Sequence, residues 1–273
     1  MADDLTTQES VAPEAAPAAS EPLVVSPPGY RPPLYGTRFA LAYALLAVLL
    51  GGGVGLAVVQ FGTDEAKSVA WSKWQPTAEG ATPVAKEIAD LVSRKYRLPE
   101  GGQLVGVVPG QLAVQNVPVD VIATRSGPTN DDKIDVTDAR GSLMFVLCGL
   151  GERCAIAQGE ASTERHRLLR REALELALYA FRHLDGVQRV VAFMPPKAGE
   201  EPTAALYFRR QDLERQVKEP LAETLLPLER LTPADIPVGE RELVDALTEP
   251  RLFNFSFQQS QSGNAVMILD PAV

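Results

Sequence analysis

Between Phe39 and Phe61 the chain carries no charged side chain, and Gln60 is the clearly polar residue in the run FALAYALLAVLLGGGVGLAVVQF. At a rise of about 1.5 Å per residue these 23 residues make a helix about 34 Å long, enough to cross a hydrocarbon core about 30 Å thick. A soluble core helix rarely stays apolar on every face for that length. A cleaved leader fits poorly too, because the apolar run is too long and starts too far into the chain. The run therefore predicts one membrane-crossing helix, occupying 37–61 with its flank. Gly51 and Gly55 lie one turn apart in it, and their lack of side chains lets a second helix approach, so a homodimer through this helix is an expected association.

Flanking charge gives little direction, since Arg31 and Arg38 precede the run and Lys67 and Lys73 follow it. Arg38 adjoins the span, and a short tail before a single signal-anchor helix normally precedes an exported domain. The expectation is a cytoplasmic N-terminus and an extracytoplasmic C-terminal domain. Usage of 19 Arg against 7 Lys, with 35 Ala, is the mark of GC-rich coding and points to a bacterial cell envelope.

Residues 1–36 are rich in Pro and Ala and have no apolar period, which predicts a disordered tail. Its PPGY and PPLY stretches, Pro27–Tyr30 and Pro32–Tyr35, read as solvated spacer. Residues 62–80 read as a connector carrying Trp71 and Trp74, which suit either a membrane interface or packing against the domain. Residues 81–273 read as a folded α+β domain with an antiparallel or mixed sheet packed by a long helix.

Within that domain Val84, Ile88, Leu91 and Val92 recur at helical spacing, predicting a helix over 83–96. The longest helix is expected at 162–184, capped by Ser162, with Leu169, Ala173, Leu176, Ala177, Ala180, Phe181 and Leu184 as its buried stripe. Further helices are expected near 211–218 and 240–247. Strands are expected at 104–108, at 117–124 with Val117, Val119, Val121 and Ala123 on the buried face, at 187–194 and at 203–210. Phe253, Phe255 and Phe257 alternate with polar residues, Ser262–Asn264 makes a turn, and AVMIL returns as a strand. The acidic stretch 129–141 reads as a loop, and 142–147 with 154–158 as a hairpin.

Candidate chemistry is sparse. Cys148 and Cys154 frame five residues, a span that lets their Cα atoms approach to disulfide distance, and an exported domain would oxidise them. His166 and His183 share one helix but stand 17 residues apart, about 25 Å along the axis, so they make no joint site and read as surface residues. Arg165, His166, Arg167, Arg170 and Arg171, interleaved with Glu164 and Glu172, read as a solvated face laced with ion pairs. The run from Asp131 puts Lys133 and Val136 where an EF-hand needs an oxygen ligand and a glycine.

No nucleophile elbow, zinc-protease helix, phosphate loop or dinucleotide fingerprint is present. No catalytic, metal or cofactor residue is therefore assigned. A net charge of −9 argues against nucleic acid as a partner. The expected function is a single-pass, membrane-anchored envelope protein whose outer domain binds or scaffolds another envelope protein, with the bilayer as its other partner. The alternative is an anchored hydrolase of an envelope polymer working through paired carboxylates, with Asp120, Asp135, Asp138 and Asp185 as candidates.

Overall fold

A computed structural model describes residues 70–127, 133–259 and 263–272. The tail 1–36, the apolar run 39–61 and its Gly51/Gly55 pair lie outside the described residues.

The helices are α1 (Ala81–Ser93), α2 (Thr163–His183), α3 (Glu214–Lys218) and α4 (Val238–Thr248). The strands are β1 (Gly106–Gln111), β2 (Ala113–Val114), β3 (Val117–Arg125), β4 (Ile134–Asp138), β5 (Ser142–Cys148), β6 (Arg189–Phe193), β7 (Ala204–Arg209), β8 (Leu252–Gln259) and β9 (Ala265–Pro271). All nine strands form one sheet in the order β1-β5-β6-β7-β8-β9-β3-β2, with β4 also on β3. The β5/β6 and β3/β9 pairs are parallel and the others antiparallel.

The two ends of that order are one stretch of chain. β1 pairs with β5, the chain bends at Leu112, and β2 then pairs with β3. Gln115 and Asn116, with φ of 48° and 66°, make the two-residue turn of positive φ that joins β2 to β3. The sheet thus nearly closes into a barrel. Leu112, Ile122, Val191, Phe193, Tyr207, Phe253, Met267 and Leu269 fill one of its faces, and Phe145, Val190 and Phe208 pack with α1 and α2 on the other. With both faces covered, RVVAF of β6 can be apolar at nearly every position.

The expected architecture is corrected here on two counts. The antiparallel or mixed sheet expected under a long helix is a mixed sheet that nearly closes on itself, because the β1–β2 run bridges β5 and β3. Among the described residues, moreover, no helix is long and apolar enough to cross a membrane, so the membrane helix expected at 37–61 is no part of the described fold.

Local corrections follow from pairing. The stretch expected as an acidic loop contains β4, whose residues pair with Val121–Arg125. No strand forms at 154–158, because β5 finds its partners in β1 and β6 instead. In β3 the register shifts between Val119 and Val121. Val119 is buried as expected, but beyond that irregularity the buried position passes to Ile122 and Val121 and Ala123 are half-buried; Val117, beside the β2–β3 turn, is exposed.

α2 begins at its expected cap, where Ser162 Oγ accepts from Arg165 N at 3.1 Å. It is buried almost all round from Leu168 to Phe181, since the sheet covers one side and α1 and α4 the other. Trp71, 7% exposed, joins this core from the connector: its ring meets Tyr179 edge-on at 5.2 Å and its Nε1 donates to Gln216 O.

Candidate functional site: the cleft at the barrel seam

Where β1 bends into β2, the sheet leaves a cleft of about 740 Å³. Its walls are the first turn of α1, the β1–β2 bend, the start of β3, the β4–β5 turn and the last turn of α2. Glycine makes two of these approaches possible. Gly80, with φ of 89°, turns the chain into α1 and leaves its first N–H groups without a side-chain cap. Gly141, with φ of 74°, brings the β4–β5 turn so near α2 that a Cβ there would sit 3.0 Å from Gly186 O. The Gly141 carbonyl accepts from Gln188 N at 2.9 Å and ties the cleft floor together.

The lining is mostly aliphatic and backbone: Val84, Ala85, Leu112, Val119 and Leu143 contribute side chains. Two of the candidate carboxylates, Asp120 and Asp185, reach its rim, and both are exposed. Asp120 accepts a hydrogen bond from Asn264 Nδ2. Asp138 instead pairs with Arg140 (Nη2–Oδ2 2.5 Å), and the Arg140 hydrogen bonds hold its carboxyl below the usual range. Asp135 lies on exposed β4. The four acids therefore do not converge.

His183 lines the cleft and is half-buried in an aromatic cluster, where the sequence reading expected a surface residue. It stacks on Tyr179 at 6.1 Å and meets Trp74 edge-on at 5.5 Å. Burial, with Arg182 adding repulsion, lowers its pKa, so the ring is neutral at pH 7, and its buried Nε2 has no hydrogen-bond partner. His166 is half-buried at the other end of α2, its pKa lowered by burial and by Arg170.

Cys148 and Cys154 are joined in a disulfide, their Cα atoms 4.3 Å apart. Gly149 N donates to Cys154 O at 2.7 Å, and a Cβ on Gly149 would fall 2.2 Å from Ala155 O, so the loop closes only with glycine there.

The basic cluster on α2 is the largest departure from the sequence reading. Arg165, Arg170 and Arg171 are buried, Arg171 completely. Arg171 donates through Nε to Glu240 (2.5 Å) and through Nη1 to Tyr96 Oη (2.6 Å), and Tyr96 donates to Glu175 (2.7 Å). Burial works against the Arg171 charge, yet Tyr96, Glu175 and Glu240 raise its pKa above the ordinary value. Arg167 and Arg170 converge on Asp245 of α4 at 2.9 and 2.5 Å. The i, i+4 spacing of these residues reads the same for an exposed face, and their partners come from distant segments, so no local signal marked them.

The chain matches no family model, no curated protein and no solved structure.

Proposed function

We propose that this is a membrane-anchored envelope protein whose extracytoplasmic domain binds an extended segment of another envelope protein. The observation that carries the reading is β4. Among the described residues it pairs with β3 alone, so its outer edge offers backbone donors and acceptors to an added strand. Ile134 and Val136 stand 52% and 65% exposed on one of its faces, and Asp135 stands on the other. An incoming strand that alternates apolar with basic residues complements both faces. The disulfide supports an oxidising compartment.

The test is cross-linking in cells from a photoreactive residue at position 134, in wild type and in Val136→Pro. A discrete adduct that V136P removes, with the protein still folded and at normal level, supports the reading; an adduct pattern indifferent to V136P overturns it. The hydrolase reading keeps one observation, the two acids on the cleft rim. Loss of function in a folded Asp120→Asn, Asp185→Asn double variant with its cross-links intact would favour it.

A further inference from the structure

A second cavity, about 350 Å³, opens where the end of β3 and the start of β4 face the end of β7 and the start of β8. It shares no lining residue with the seam cleft. Although the chain carries a net charge of −9, the cavity is lined by Arg125, Lys133, Arg209 and Arg251. Arg189 stands opposite Arg209 in the β6–β7 ladder and adds a fifth cation.

Three carboxylates answer them. Asp270 pairs with Arg125 at 3.2 Å. Asp212 accepts from Nε and Nη2 of Arg209 at 2.9 and 3.0 Å, which leaves Arg251 Nε 3.9 Å from it. Asp135 lines the cavity without a partner inside hydrogen-bonding distance among the described residues. Positive charge is thus in excess.

Two donors are also unspent. Arg251 gives its Nη atoms to the carbonyls of Leu247 and Asp212, at 2.8 and 3.4 Å, while its Nε has no hydrogen-bond partner. Tyr207, 5% exposed, lines the cavity; the Arg189 guanidinium approaches its hydroxyl and can only donate to it, so the hydroxyl proton is left without an acceptor. Burial pushes the phenol pKa up although Arg189 and Arg209 pull against it, so at neutral pH the hydroxyl keeps its proton to donate. Burial pushes the Arg251 pKa down, and Arg209 adds to that while Asp212 opposes it. A bound acceptor would relieve both groups. Unmet buried donors cost free energy, and charge-assisted bonds to an oxyanion are the strongest way to meet them.

We propose that this cavity binds a compact oxyanion, a phosphate or carboxylate group, whose oxygens accept from Tyr207 Oη and the Arg251 guanidinium. Its volume of about 350 Å³ admits such a group with space left for part of the molecule that carries it, and the proposal stands independently of the strand-binding reading.

The test titrates the full chain with sodium phosphate and, separately, sodium acetate, each balanced with chloride to constant ionic strength, and follows binding by calorimetry and melting temperature. Saturable binding by either anion is expected; phosphate alone assigns a phosphorylated ligand, acetate alone a carboxylate. Tyr207→Phe keeps the ring packed and removes one donor, which should weaken the bound anion about tenfold or more. Arg251→Gln should abolish binding. No saturation beyond the chloride control, or unchanged affinity in a folded Y207F, overturns the proposal.

Discussion

The carboxyl of Glu172 is fully buried on α2, and neither of its oxygens has a hydrogen-bond partner. Glu175 on its own helix and Tyr96 from the segment after α1 are the titratable groups close enough to couple with it; the strands facing α2 bring Phe145, Val190 and Phe208. Burial, with repulsion from Glu175, raises its pKa well above the ordinary value. Unfolded, a glutamate ionises at about pH 4.3. The folded chain therefore holds an extra proton above that pH, and its stability contribution, full below it, is lost as pH rises, up to about tenfold per pH unit in the folding constant. His166 and His183, lowered by burial, act with the opposite sign below about pH 6.5, but they are common to wild type and variant. Glu172→Gln should thus be more stable than wild type at pH 8, with the gap closing towards about pH 4.5. Urea midpoints measured across that range decide it, and a gap that does not change with pH would sink the idea.

At the scale of elements, partners decided what each segment became. β5 reads in sequence as half of a hairpin, yet it ends at a disulfide and spends its two edges on β1 and β6. The Cys148–Cys154 bond closes a short loop, so its loss should cost about 2 kcal/mol on the chain-entropy model. A Cys148→Ser, Cys154→Ser double variant should show that loss by denaturant titration, with its fold otherwise kept. A loss well above that figure would mean that the loop holds β5 in register as well. β3 teaches a related lesson. Its alternating valines are visible in sequence, but the irregularity at Val119/Val121 reassigns its inner face to Ile122. Alternation announces a strand; only its neighbours fix the register.

For the molecule as a whole, the described fold takes in the connector around Trp71 and does not start at the first turn of α1. Trp71 is the reason: it is buried against Tyr179, and its carbonyl accepts from Leu221 N at 2.8 Å. A chain starting at Ser68 should fold cooperatively, and one starting at Ala81 should lose about 3–5 kcal/mol, the usual cost of removing a buried Trp. Equal denaturation midpoints for the two would refute this. The sequence by itself determined the long helix with its Ser162 cap, the strands of the C-terminal hairpin, and the pairing of the two cysteines. Each of these rests on spacing within a single segment, which periodicity and local chain geometry specify. Tertiary structure alone decided the near-closure of the sheet through Leu112, the seam cleft, and the burial of Arg171, Glu172 and Glu175. These depend on contacts between residues far apart in the chain, such as Arg171 with Tyr96 and Glu240, and a charged side chain carries no local mark of whether water or a distant partner will meet it.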